Sequence, residues 1–364
     1  MKTFILTLVL IFSPCVFAEQ SFSEFIDELK VEAAAKGITT ETIDELFGEN
    51  PEPNAFINGR YCPCTVDGSE PRRFPRRTNE KKFKDNQKLY LSATRLAKAK
   101  QLMQEHRILL ERIEREYGVD KEAIVALWSI ESYFGLNQGD HNIPHVLATL
   151  AWHPKEKRKA FFKRELWFAM RIYQEGHVSK ENFKGSWAGA MGQVQFMPST
   201  FFAYAVDGDG DGKIDIWSNE ADAFASAANY LRILGWQQGK PWKADIVLNK
   251  PIIKGLFYDT GLSKQPIYKR DSKGRTVYKN GEPVVRKFAP FKLTLQKMKE
   301  RGVPVPQGSS LTRKAYLYLP YGNQTAKKGF LLFNNFDVIL NWNRSSYFAF
   351  GILSIMDELK NNPR

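Results

Sequence analysis

The chain has 364 residues, 43% of them hydrophobic and 13% aromatic, enough to bury the core of one large domain or two modest ones. Its formal net charge is +13, of which Lys2 contributes one, and an excess of that size suits an anionic polymer. No RNP motif, zinc-finger spacing or recognition helix accompanies it, which argues against nucleic acid.

Lys2, the apolar run "FILTLVLIF" and the small-residue site Val16-Phe17-Ala18 predict a signal peptide over residues 1–18. The run is too short to span a bilayer comfortably. Pro14 stands before Cys15 where a small residue is expected, which argues against a lipid anchor at Cys15. No later stretch is apolar enough to span a membrane, so the expectation is a soluble, periplasmic protein. Residues 19–117 form the first region. Apolar and charged positions alternate at helical spacing over 21–49, predicting two short helices broken at Gly37, the second capped by Thr39 or Thr40. Residues 50–78 are rich in Pro, Gly and Arg and are expected to be loop. They hold Cys62 and Cys64 in "RYCPCTVDG". Export permits a disulfide, and a local staple, two free thiols or a reactive or intermolecular role all fit. Two thiols alone are too few for zinc. Lys84 to Tyr117 predicts one long amphipathic helix with a solvated charged face.

Gly118 stops that helix and Asp120 is placed to cap the next, opening a second region over 118–242. Residues 144–177 are expected to be helical in two or three pieces, "KAFFKRELWFAMRIYQEG" being the clearest. A helix should start near Pro198 and end before Asp207, and another runs through 221–235. Residues 243–325 carry short Val-, Tyr- and Lys-rich runs with turn signals, which predict a small β-rich subdomain with a helix near 294–301. A single helix from about Phe336 to Lys360 closes the chain within 326–364. No repeat of solenoid period is present.

Three stretches carry chemistry. In "ALWSIESYFG" (126–135), Ile124, Leu127, Trp128, Glu131 and Phe134 share one helical face, so Glu131 points where the apolar stripe points. Desolvation there raises a carboxyl pKa, and an acid that keeps its proton near neutral pH can act as a general acid. A buried Glu paired with Arg or Lys fits the same pattern. In "GSWAGAMGQVQFMPSTF" (185–201), small residues let the backbone approach a ligand, and Gln193 and Gln195 suit sugar hydroxyls and acetamido groups. A close-packed turn between helices fits equally. Trp187 and Trp342 are candidates for stacking on sugar faces. In "DGDGDGKIDIW" (207–217), Asp207, Asp209 and Asp211 stand at positions 1, 3 and 5 of an EF-hand-like loop, with Gly212 at 6, the Lys213 carbonyl at 7 and Asp215 at 9. Hard oxygen ligands favour Ca²⁺, in a structural role. Ser218 replaces the bidentate Glu of position 12. His141 and His145 have i, i+4 spacing, but Pro144 argues against a regular helix there, and no H-E-x-x-H is present.

"ALWSIESYFG", "VLATLAW" (146–152), "FFKRELWFAM" (161–170), "SWAGAMGQVQFMPST", "NYLRILGW" and "ILNWNRSSYFAFG" together resemble the lytic murein transglycosylase B family, in order over most of the chain. The resemblance implies a mainly α (α+β) fold: a lysozyme-like catalytic core with a helical flanking domain, a small β-rich subdomain and the EF-hand-like loop. It implies cleavage of the β-1,4 bond between N-acetylmuramic acid and N-acetylglucosamine in peptidoglycan glycan strands, with formation of a 1,6-anhydro ring. It assigns the acid and base work to Glu131, and the saccharide groove to Ser186, Gln195, Tyr230 and Asn343. Lys157 and Arg158 are then placed to meet peptide or lactyl carboxylates, and Asp222 becomes a further metal ligand of a loop running 207–222. No organic cofactor is implied. No second carboxylate occurs in the recognised cleft motifs, although glycosidases usually flank the bond with two. A hydrolysing muramidase of the same fold and a non-catalytic wall-binding protein are the competing expectations. The 50–78 loop falls outside the family pattern and is a candidate contact for cell-wall protein partners.

Overall fold

The computed structural model describes residues 20–61, 87–248, 257–258, 263–271, 275–279, 282–319 and 328–362. Residues 1–18, Cys62, Cys64 and most of the 50–78 segment lie outside them. The first helix, α1 (Phe22–Ala33), starts in a capping box: Glu24 N–H donates to Ser21 Oγ, and Ser21 N–H donates to Glu24. Gly37, at φ +70°, ends the following turn, and Thr39 caps α2 (Thr40–Phe47), as expected. Residues 55–61 are not loop. They form α3 (Ala55–Tyr61), because Asn54 Oδ1 accepts from Ile57 N–H and Ile57 is fully buried.

The single long helix expected to run to Tyr117 is also divided, into α4 (Ala93–Glu105), capped by Ser92, and α5 (Arg107–Tyr117). The break is at His106, whose ring packs edge-on against Trp128 and Phe224. A tertiary contact interrupts a locally favourable helix here. Next come α6 (Lys121–Glu131), α7 (Ile143–Trp152), α8 (Lys159–Gln174), α9 (Pro198–Tyr204) and α10 (Glu220–Ile233). Pro144 lies in the first turn of α7, where it costs no hydrogen bond, so His145 is helical after all; Asn142 supplies the cap. His141 is in strand β1 (His141–Asn142), which pairs antiparallel with β2 (Lys184–Gly185).

Asp120 sits at the head of α6 but does not cap it. Its carboxylate instead accepts from Trp236 Nε1, Gly239 N–H and Lys360 Nζ. The β-rich part contains β3 (Lys243–Val247), β4 (Phe257–Tyr258), β5 (Ser263–Tyr268), β6 (Tyr278–Lys279), β7 (Glu282–Pro283), β8 (Val285–Pro290) and β9 (Leu293–Thr294). Helix α11 (Leu295–Glu300) is followed by β10 (Lys314–Tyr318) and β11 (Lys328–Leu332). A four-stranded antiparallel sheet runs β3-β11-β10-β9 and has its own core of Ile246, Leu295, Met298, Leu317, Leu331 and Phe333. That sheet needs β11, so it extends past residue 325.

The closing helix is two, α12 (Asn334–Trp342) and α13 (Ser346–Asn361). Asn343 is extended between them, and Ser345 Oγ caps α13. Helix α13 packs along α6, and Lys360 fastens its far end to Asp120. Among the described residues, no helix is long and apolar enough to cross a membrane.

Candidate active site

Glu131 is the last residue of α6, a helix whose other faces are buried almost throughout. The chain leaves it through three successive left-handed residues: Tyr133 (φ +50°), Phe134 (φ +62°) and Gly135 (φ +79°). Non-glycine residues rarely adopt this conformation, and surrounding structure must hold them there. Phe134 therefore does not continue the helical stripe, as the spacing predicts. It reaches the core from the turn and packs edge-on against Trp128. Arg95 holds the turn from α4: its guanidinium donates to the Ser129 carbonyl and lies over the Tyr133 ring.

Glu131 is half-buried. Burial, the dominant influence, holds its carboxyl up at about 7, against the opposing pull of one hydrogen bond. That bond comes from Trp342, whose Nε1–H donates to Glu131 Oε1 at 2.7 Å. No Arg or Lys among the described residues forms a salt bridge with Glu131, so the ion-paired reading of a buried glutamate does not apply. Glu165 provides the contrast. It is fully buried, but Arg164 and both the amide and hydroxyl of Ser199 satisfy it, and it caps α9.

A groove of about 920 Å³ lies beside the turn. Residues 135–141 form one wall, Lys184, Ser186, Trp187 and Gln195 another, and Lys213, Asp215, Trp217 and Ser218 a third. Ser186 and Gln195 are thus in the groove, as expected. Ser186 Oγ accepts from the Ala190 amide, which leaves its hydroxyl hydrogen free to donate. Gln195, at φ +50°, has its amide nitrogen engaged by the carbonyls of Gln138 and Gly192, leaving its oxygen to the groove. Gln193 is not a ligand residue: it is buried, and its oxygen accepts from Trp128 Nε1. The small residues around it serve packing. A Cβ on Gly185 would come within 2.2 Å of the Ala190 carbonyl oxygen. That corrects the expectation of a backbone laid open to ligand.

Tyr230 is half-buried in a ladder of rings, stacked on Trp342 (4.9 Å) and on Tyr204 (4.1 Å). Asn343 is exposed just after Trp342. Lys157 and Arg158 are exposed at the head of α8 and do not line the groove; the Arg158 guanidinium lies over Phe161. Two carboxylates that the motifs do not mark as cleft residues, Asp140 and Asp215, line the walls. Asp215 is bound to the amides of Trp217 and Ser218, while Asp140 is almost fully exposed beside His141.

Asp207, Asp209 and Asp211 place their carboxylates within 4.8 Å of one another. Amides of Gly212 and Gly210 hold the Asp207 carboxyl below its ordinary value, so it stays charged. Three hard oxygen donors in this arrangement fit a divalent cation. Asp222 stands outside the group. It is fully buried, and its two oxygens accept from Gly208 and Asp215 amides, closing the loop at both ends. Ser218 donates its hydroxyl to Asp215 and supplies no carboxylate.

Residues 21–357 match the family model described as a transglycosylase SLT domain. The membrane-bound lytic murein transglycosylase B of Escherichia coli (strain K12) is 40% identical over 130 residues, a match spanning 36% of this chain and 36% of that protein. The crystal structure of SltB3 from Pseudomonas aeruginosa in complex with NAG-anhNAM-pentapeptide aligns with a TM-score of 0.74 at 32% identity, over 95% of this chain and 81% of that one. The Escherichia coli lytic transglycosylase Slt35 in complex with calcium aligns at 0.68 and 23% identity, over 93% and 92% of the two chains, a likeness of fold. With the family model covering nearly the whole chain, and a relative of 32% identity aligned along it, this protein belongs to the transglycosylase SLT domain family and has the mainly helical, lysozyme-like fold of the lytic transglycosylases.

Proposed function

We propose that the chain is a peptidoglycan lytic transglycosylase. The observation that carries this reading is Glu131: a carboxyl with its pKa near 7, held by one indole, paired with no cation among the described residues, and four residues before Gly135, where the lining of a groove of about 920 Å³ begins, though Glu131 is not itself a lining residue. The Glu131 carboxyl gives its proton to the glycosidic oxygen as the bond from C1 of N-acetylmuramic acid breaks, and the bonding electron pair leaves with that oxygen. The C6 hydroxyl of the same sugar then bonds to C1, and its proton passes to the Glu131 carboxylate. The products are a free hydroxyl on N-acetylglucosamine and a 1,6-anhydro ring, and the acid is regenerated. No water is activated, so no second carboxylate is required. The engagement of Asp215 by its own loop supports this.

Ser186 and Gln195 hydrogen-bond the glycan, and Trp187 offers it an exposed face. Tyr230 acts by backing Trp342, and Asn343 flanks it. Asp207, Asp209 and Asp211, with the Lys213 carbonyl, would hold a calcium ion, whose charge would brace the 207–222 loop against α5 and α10. Arg112 of α5 already donates to the Gly208 carbonyl there. The chain is exported, residues 1–18 are removed, and the mature enzyme works in the periplasm.

The test is mass spectrometry of soluble products from purified peptidoglycan, with the mature protein and Glu131→Gln in parallel. Anhydromuramyl products from the first and none from the second are expected. Reducing-end products would indicate a hydrolase, and wall binding without products a binding protein.

A further inference from the structure

We infer that Trp342 is a positioning residue that decides which oxygen of Glu131 carries the proton. This rests on the reading of Glu131 as the acid. An indole N–H can only donate. Of a protonated carboxyl's two oxygens the carbonyl oxygen is the stronger acceptor, and the 2.7 Å contact is to Oε1. The transferable proton is left on Oε2. The same bond fixes the rotation of the carboxyl plane, which a half-buried glutamate at a helix end would otherwise be free to vary.

The indole is itself held firmly. Tyr230 stacks on one side at 4.9 Å with Tyr204 behind it, and Phe196 lies against it at 5.4 Å. The break at Asn343 ends α12 at Trp342. A continuous helix through 336–360 would carry the ring elsewhere. Among the described residues, the ionisable groups recorded around Glu131 are turned to other partners. Tyr90 and Arg95 stand on the α4 side, where the Tyr90 hydroxyl feels both Arg95 and Glu131; Arg95 Nη1 donates to Ser129 and the guanidinium lies over Tyr133, while its buried Nε meets no acceptor among the described residues. Tyr230 faces the indole from α10. From α13, Asp357 and Lys360 turn to Trp242 and Asp120.

The experiment is a ¹³C NMR titration of the side-chain carboxyl of Glu131, assigned with Glu131→Gln, in the wild type and in Trp342→Phe. Loss of the N–H donor removes a contact that favours the anion, so the midpoint should rise from about 7. A midpoint that stays or falls overturns the inference. The titration reads Glu131 whether or not the protein turns over, so it is separable from failure of the enzymatic reading, which would show as a wild type without anhydro products. With activity present, kcat at pH 6 should drop on the order of tenfold with KM little changed, and the alkaline limb of kcat should move up in pH. An unchanged limb also counts against the inference. Should Trp342→Phe fail to fold, Trp342→3-benzothienylalanine keeps the ring shape and removes only the N–H, and the same midpoint rise is expected.

Discussion

At Glu131 the cost of function is a stability effect with a definite sign. Its folded pKa of about 7 lies above the ordinary 4.5. The neutral carboxyl is therefore favoured in the folded state; its contribution is complete below pH 4.5 and is lost as pH rises through about 7. A shift of this size corresponds to about 2–3 kcal/mol once partial solvent access is allowed for. Glu131→Gln keeps the shape and the bond to Trp342 without a charge. Unfolding midpoints of the two proteins should coincide near pH 4 and separate above pH 7, with the variant the more stable; parallel curves would show that burial does not control this acid. The sequence made the residue visible, because one carboxylate interrupts an apolar run. It could not show Trp342, 211 residues away, or that Arg95 would attend to the turn and form no salt bridge with Glu131 among the described residues.

The turn after α6 and the junction of β1 with β2 shape the groove, and both depend on close backbone approach. A Cβ on Gly139, which has φ +93°, would stand 2.2 Å from the Gly185 carbonyl oxygen. Gly139→Ala should therefore cost about 2–3 kcal/mol through backbone strain and displacement. It should also weaken glycan cleavage, as measured by urea unfolding and product yield. Asp120 ties three elements: the head of α6, the 236–239 segment and the end of α13. Asp120→Ala leaves a half-buried ammonium, a buried indole N–H and an amide without their partner, so a loss of about 2 kcal/mol is expected in the same unfolding assay; a change under 1 kcal/mol would mean the hub is dispensable. Cap residues and stop signals were legible in order along the chain: Thr39, Gly118 and Pro198 all fall at element ends. Two of the errors share a cause. His106 and Asp120 each break or bypass a local pattern because a distant partner competes for the residue.

Across the whole molecule, the helical core and the four-stranded sheet bury separate clusters, and the acidic 207–222 loop forms one wall of the groove near the core. If Asp207, Asp209 and Asp211 hold Ca²⁺ in the folded state alone, adding it at 100 times its Kd should stabilise by about 2.7 kcal/mol, reversed by a chelator. Asp211→Asn should remove most of that gain, and a calcium-independent unfolding midpoint would refute the site. Hydrophobic spacing, caps and acidic loop residues are local, so the sequence by itself determined the helix-rich class, the β-rich insert, the half-buried acid and the acidic loop. Which groups face one another was decided by the tertiary structure alone. It stopped α12 at Trp342, brought that indole to Glu131, turned Asp222 to the loop amides and kept Lys157 and Arg158 off the groove. The physical reason is that desolvation, stacking and hydrogen bonding act through space, and partners far apart in sequence leave no periodicity to read.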